Sequence, residues 1–450
     1  MTGQVLLIVP WASVGGTERH VATLSDSLRQ RGWQVTIASP PGPAQEWWRA
    51  AGAGVCTFPG ASAGWRRQAE GCRTIVGQWW NQTLMDRQAG RDRGRAVDGR
   101  PGSDQARPVA LSDQPGAGQA RADAVVHIHA APEYLLFLRS LRRRSPSLPV
   151  VFTSHGFAGT AVGWDYWWAA FAARRWADAV IAVSQAEGSR LVRAGLPPGR
   201  LTVIGNAVPI VPARLQTGPA VGGAASQTAG TPEWAELPEA ATASAARSLP
   251  FTIGFVGRLS PEKGVPVLIE AVRRWEPGRR AGVTGEPERV RLLIVGEGAQ
   301  RSELERQAAA LQAQAWGVQV EFVGKADPNV WWSKMDVVVV PSLADASPLV
   351  VLEAMAAGRA VITSDLPGML EMVHHAETGW VVPAGDASAL AEALAQLAGH
   401  PELRRRLGRR AREYVRLVHS AETMAAATEK VYRWVVERRG VTRGDSDTRS

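Results

Sequence analysis

Two carboxylates, Asp345 and Glu353, stand eight positions apart in the stretch PSLADASPLVVLEAMAAGRAVITSD, which runs from Pro341 to Asp365. Leu343 to Ser347 is short and polar, Pro348 suits a first helical turn, and Leu349 to Ala357 is apolar at helical spacing. The pattern predicts a loop-to-helix junction, with Asp345 just before the helix and Glu353 about two turns inside it. Unpaired amides and the positive dipole end at such a terminus, here around Ser347, Leu349 and Val350, favour a bound phosphate. Acids flanking a phosphate seat are placed to hold hydroxyl groups, as on a nucleotide sugar.

Other chemistry-bearing residues follow predicted strands. In FVGRLSPEKG, Arg258 and Lys263 are cations five residues apart around a Ser-Pro turn, suited to clamp a diphosphate, with Glu262 between them expected to face solvent. In VPWASVGGTERH, Gly15 and Gly16 let backbone approach a ligand at the start of a helix, and Glu18 is either a first-turn helix residue or an acceptor contact. His155 ends VVFTSH, and Glu297 sits in GEG after LLIV, with Lys325 in a similar loop. His127 and His129 alternate on a strand and share a face; each is expected to be packed and hydrogen-bonded, since an HxH metal site needs further ligands that the sequence does not place.

The elements that must carry these loops alternate. QVLLIVP, QVTIAS, DAVVHIHA, LPVVFTSHG, DAVIAVS and RLTVIGN read as strands separated by helical patterns, and a second series runs from FTIGFVGR through VRLLIVGEG, VQVEFVGK, MDVVVVPS and RAVITSD to TGWVVPA. Such alternation predicts parallel sheets covered by helices, in two doubly wound Rossmann-like domains. The chain of 450 residues is long enough for both. In open sheets of this kind ligands bind beyond the carboxyl ends of the strands, where the residues named above lie. Polar, weakly periodic stretches at about 81–122 and at 208–249 read as a surface insertion and as a linker or second insertion.

The segment DASPLVVLEAMAAG resembles the acidic motif of the retaining glycosyltransferases of family 4, two acids separated by seven residues, with Asp345 where the family usually has Glu. FVGRLSPEKG resembles the family's GRLxxxKG pattern, Gly15 and Gly16 its GGxE loop, and HG at His155 a motif whose histidine contacts the donor sugar. The resemblance implies two facing Rossmann-like domains, the GT-B arrangement. It implies an acceptor-side domain over 1–207, a nucleotide-sugar domain over 250–418, and a final helix and tail over 419–450 that cross back to the first. Further, it implies that a hexosyl-type sugar passes from a nucleotide diphosphate to a hydroxyl of a glycan or lipid-linked acceptor, with retention. Arg258 and Lys263 would bind the diphosphate, Glu353 the ribose, and Asp345 and His155 the sugar, while loops such as Glu297 line the nucleotide. No metal or other cofactor is expected.

A formal charge of +9 suits anionic partners without choosing among them, and the resemblance points to no nucleic acid. Cys56 and Cys72 are too few for a disulfide framework, so a reducing compartment is expected. The short first apolar run reads as a strand rather than a signal peptide, and no apolar run approaches a membrane span, so the protein is expected in the cytoplasm with any membrane contact peripheral, at the inner face. Asn206 in VIGNAV is expected to fix a turn. The run from Trp164 to Phe171, followed by Arg174 and Arg175, reads either as an interfacial helix or, the favoured reading, as core or subunit packing. Two rival functions stand beside the transferase: a nucleotide-sugar epimerase on the same fold, and a weakened sugar-nucleotide-binding protein.

Overall fold

The computed structural model describes residues 3–13, 15–96, 123–156 (apart from 131, 138, 140–142 and 144), 164–209, 250–275, 289–315 and 317–444. By their contacts two compact units form: Met1–His155 with Ala161–Ile204 and Met424–Ser450, and Gly156–Thr160 with Gly205–Thr423.

The first unit is built on strands β1 (Gln4–Ile8), β2 (Gln34–Ser39), β3 (Gly54–Thr57), β4 (Ala124–His129), β5 (Val150–Ser154), β6 (Ala179–Ala182) and β7 (Leu201–Val203). They pair in the order β3-β2-β1-β4-β5-β6-β7, parallel throughout. Leu6, Leu7 and Ile8 of β1 and Val150, Val151 and Phe152 of β5 are fully buried, as strands covered by helices on both faces require. The helix Ala421–Gly444 supplies part of that cover. Its fully buried Tyr432 packs on Trp33 at 5.2 Å between ring centroids and places its hydroxyl 2.6 Å from His127 Nδ1, while Glu429 pairs with Arg31 at 2.7 Å.

The second unit carries β8 (Phe251–Val256), β9 (Val290–Val295), β10 (Val318–Gly324), β11 (Val337–Val340), β12 (Ala360–Ser364) and β13 (Trp380–Val382) in the parallel order β10-β9-β8-β11-β12-β13. Leu268, Val272 and Trp275 from one covering helix and Leu390, Leu394 and Leu397 from another close one face. The helix Leu349–Ala356 and Val415 close the other. Both sheets are doubly wound, and strand order reverses between β1 and β4 and between β8 and β11. The crevices at the carboxyl ends of those pairs are where such sheets take ligands.

Several expectations change. β3 was not expected: four residues with two half-buried positions give too short a run to register. The stretch from 81 is not irregular throughout, because the helix Trp65–Ala96 continues into it; residues 97–122, and the linker from 210 to 249, lie outside the described residues. Likewise the helix Ala421–Gly444 extends into the tail expected from Gly440, whose remainder from 445 is outside the description. The helix Trp164–Trp176 buries Ala169, Ala170, Ala172 and Ala173, half-buries Tyr166, Trp168 and Trp176 and leaves Trp164, Trp167 and Phe171 exposed, so the last three rings are not core. Small alanines suffice to fill the inward face, which is why apolar residues encircle the helix.

Candidate functional site

At the carboxyl end of the second sheet the loops are strapped together backbone to backbone. The amide of Leu259, after β8, donates to the Glu297 carbonyl after β9 at 2.9 Å, and Gln300 N returns a bond to Leu259 O at 3.0 Å. Gly296 N donates to the carbonyl of Gly324, the last residue of β10, at 2.9 Å. Leu343 and Ala344, after β11, both donate to the Glu262 carbonyl, at 2.8 and 3.3 Å. These approaches leave no room for side chains: a Cβ on Gly264, whose φ is +69°, would lie 2.0 Å from Pro341 O, and one on Gly368 would lie 1.7 Å from Ala346 O.

The β8 and β11 loops flank the switch point, and their contact brings Lys263 Nζ to 2.5 Å from Asp345 Oδ2, both side chains largely shielded from water at 19% and 15% exposure. Arg258 is 71% exposed and reaches Glu262 Oε1 at 3.2 Å. Glu262 does not simply face solvent: the Ser260 hydroxyl donates to the same oxygen at 2.6 Å. Although burial pushes its carboxyl up, that bond, its own backbone amide and the nearby cations hold it below the ordinary value.

Pro348 has φ −71° and ψ 119°, extended rather than helical, so the helix begins at Leu349 and Glu353 is its fifth residue. Glu353 therefore sits little more than one turn in, not two, since extended backbone up to Pro348 takes up the rest of the spacing. It is half-buried. The Ser347 carbonyl accepts from Asn206 Nδ2 at 2.8 Å, and the Ser347 hydroxyl lies 3.6 Å from Met372 Sδ. The Asn206 side chain thus reaches a loop 141 residues away along the chain. The Asn206 carbonyl accepts from His419 Nδ1 at 2.9 Å, which sets that ring's tautomer. Ser347, Leu349 and Val350 accordingly line one loop-helix junction beside Asp345 and Lys263. Glu297 joins the rim through its backbone, while its carboxylate is about half exposed and ion-paired to Arg301.

In the first unit Gly15 is the extended N-cap, φ −136°, of the helix Gly16–Gln30. Glu18 is 1% exposed and accepts from the Ser13 hydroxyl at 2.6 Å. Its carboxyl is raised by burial, which outweighs that bond. Of the two roles open to it, the helix-start role is the one observed. A Cβ on Gly15 would fall 2.7 Å from Glu18 Oε2, so the glycine makes room for the folded-back acid.

His155, just beyond β5, joins a cluster that the sequence showed only in part. Its Nε2 lies 3.2 Å from His129 Nδ1, and its ring meets His20 edge-on at 4.7 Å. His127 spends both nitrogens, on Tyr432 and on Thr153 Oγ1, each at 2.6 Å. Burial, reinforced by the neighbouring imidazoles, pushes His155 and His129 well below the ordinary range and His127 to about 3. All three rings are neutral near pH 7. Ligand atoms of His20, His129 and His155 lie within 4.8 Å of one another, the one grouping among the described residues with spacing suited to a metal ion. His129 Nδ1 and His155 Nε2 already serve each other, so the contacts seen are those of a hydrogen-bonded imidazole stack. His20 escaped sequence reasoning; its only signal was a polar residue on the inward face of the first helix.

The residues 250–400 match the family profile described as "Glycosyl transferases group 1" and residues 86–211 that described as "Glycosyltransferase Family 4". Over 191 residues the chain is 34% identical to a phosphatidyl-myo-inositol mannosyltransferase of Mycobacterium leprae, covering 41% of this chain and 46% of that protein. It is 28% identical over 182 residues to the capsular polysaccharide biosynthesis glycosyltransferase CapM of Staphylococcus aureus, covering 40% and 46%. With the lipopolysaccharide core biosynthesis mannosyltransferase LpcC of Rhizobium leguminosarum it shares 30% identity over 202 residues, 45% of this chain and 55% of that one. The chain spans about half the length of these curated relatives. Its GT-B fold is that of Anabaena Alr3699/HepE in complex with UDP and glucose, at 18% identity and TM-score 0.64, covering 95% of this chain and 99% of that one. A similar match is S. aureus TarM in complex with fondaparinux, alpha-GlcNAc-glycerol and UDP, at 11% identity and TM-score 0.62, covering 96% and 100%. With both profiles matched in order and the fold shared, the chain belongs to the group 1, family 4 glycosyltransferases.

Proposed function

We propose that the chain is a retaining glycosyltransferase that moves a hexosyl-type sugar from a nucleotide diphosphate to a hydroxyl of a glycan or lipid-linked acceptor, in cell-surface polysaccharide or glycolipid synthesis. The observation that carries this reading is the strapping of the β8 and β11 loops at the switch point, which joins Lys263 to Asp345 beside the Ser347–Val350 junction. Relatives named for mannosyl transfer and capsular polysaccharide synthesis support the setting, and UDP in the HepE and TarM complexes supports the donor class.

In this reading Arg258, Lys263 and the amides of Leu349 and Val350 take up the charge that grows on the diphosphate as the anomeric C–O bond breaks. Glu353 accepts from the ribose hydroxyls. Asp345 accepts from a sugar hydroxyl while keeping Lys263 in place, and His155 serves the donor sugar as a neutral imidazole. The acceptor oxygen bonds to the anomeric carbon on the face the diphosphate leaves, its proton passing to the departing phosphate oxygen. Fixed cations of the chain do the neutralising, so no metal is required, and the work is read as taking place at the cytoplasmic membrane face. Among the described residues no helix is long and apolar enough to cross a membrane.

A donor panel followed by nucleotide release and thermal shift tests the reading, because a bound donor stabilises the fold by mass action. The expected result is one nucleotide sugar that raises the melting temperature and is turned over with acceptor, its anomeric proton signal showing an α-linked donor giving an α-linked product. A β-linked product from that donor sinks retention. Turnover should persist in excess EDTA; loss that zinc restores would move the metal question to His20, His129 and His155.

A further inference from the structure

The helix Trp164–Trp176 presents a ridge of rings on the outside of the first unit. Trp164, Trp167 and Phe171 are 76%, 49% and 44% exposed, while Tyr166 turns inward and donates to the buried Glu187 carboxylate at 2.6 Å. The rings run on continuously: Trp164 to Trp167 at 5.4 Å, Trp167 stacked on Phe171 at 5.5 Å, Phe171 edge-on to Trp176 at 5.9 Å. Trp176 lines a cavity of about 400 Å³ whose other walls include Arg139, Arg143, Arg174, Arg175, Arg200 and Arg439.

One acid, Asp178, shares those walls, and it is occupied: Arg439 Nε donates to it at 2.9 Å and Val150 N at 2.9 Å. Arg200 is anchored on the carbonyls of Arg174 and Ala177 at 2.7 and 3.3 Å. Arg139, Arg143, Arg174 and Arg175 have no carboxylate within ion-pair distance among the described residues. Planar guanidinium groups converging on one hollow match phosphate oxygens, and tryptophans belong at the headgroup level of a bilayer. An exposed apolar ridge that leads directly into a hollow with four arginines unpaired among the described residues is the pairing a surface-bound helix uses on anionic lipid. We propose that this face of the first unit docks on a bilayer containing anionic lipid, the rings entering the headgroup layer and the arginines binding lipid phosphates.

Flotation of the full chain with vesicles tests this directly. It should float with equimolar phosphatidylcholine and phosphatidylglycerol and stay in solution with phosphatidylcholine alone. The double variant Arg174→Gln, Arg175→Gln should bind more weakly by about fivefold per arginine, roughly twenty-fivefold for the pair. Trp167→Ser with Phe171→Ser should abolish flotation, with an unchanged melting temperature because these side chains are exposed. Should the arginine variant misfold, salt titration of the unmodified chain replaces it, and binding indifferent to salt overturns the proposal. Titration with inorganic phosphate separates a soluble-anion site: tight phosphate binding without flotation overturns it as well. So does a dimer in light scattering that Trp167→Ser dissociates, with no vesicle binding at any composition, since a second copy then covers the ridge.

Discussion

At the scale of single residues the least interchangeable positions are Lys263 and Asp345. In the proposed reaction their contact would make Asp345 a partner of the cation that meets the diphosphate as well as a sugar ligand, a double duty invisible in the spacing of the acids. Lys263→Met is expected to lower kcat/KM by about 10²–10³, the usual loss when one preorganised charge is removed from a transition state. Asp345→Glu adds a methylene between the shielded carboxylate and its ammonium partner, and displacement of that order costs about 10². Steady-state kinetics with the identified donor check both, and an Asp345→Glu variant faster than the natural chain would mean that Asp345 is a handicap rather than an adaptation. The order of these residues along the chain was readable because each follows an apolar strand. The pairing of Lys263 with Asp345 was not, since it depends on how two loops 82 residues apart are strapped.

At the scale of elements, the strand ends matter through their glycines. Gly264→Ala meets both a positive φ and a carbonyl 2.0 Å from the new Cβ. It should destabilise the second unit by about 1–3 kcal/mol and weaken donor binding, because the Pro341 loop must retreat. Gly399→Ala, where a Cβ meets nothing within 4 Å, is the control and should leave stability unchanged or up by less than about 1 kcal/mol. Thermal melting with and without whichever nucleotide sugar the donor panel identifies reads both. Most strands and helices were legible from periodicity, β3 and the runs of helix into the stretch from 81 and into the tail excepted, and the helix start at Leu349 was misplaced because proline serves as well for the residue before a helix as for its first turn. The strapping contacts could not be read, for a glycine in sequence does not say which distant carbonyl it must pass.

At the scale of the molecule, histidines of lowered pKa lie in both units, three of them in the first and His419 in the second. The first unit buries His127 and His129 and half-buries His155, all with depressed pKa values. On unfolding these rings return to about 6.5, so below that pH the unfolded chain binds more protons and stability falls. The sign is that of a stabilising contribution fully present above pH 6.5 and lost as acid is added, by up to about 1.4 kcal/mol per pH unit for each ring. Calorimetry should therefore show the first unit's transition falling steeply from pH 7 to 5. A first-unit transition insensitive to pH would mean that those imidazoles are charged when folded. One contact in that unit also bears on how the protein is made. Tyr432, which seals His127, lies 305 residues further along the chain. At translation speeds of about 5–20 residues per second, a ribosome needs roughly 15–60 s to add that length. Throughout that interval His127 lacks the hydroxyl that seals it, so the unit encoded first is completed only after the second has been synthesised.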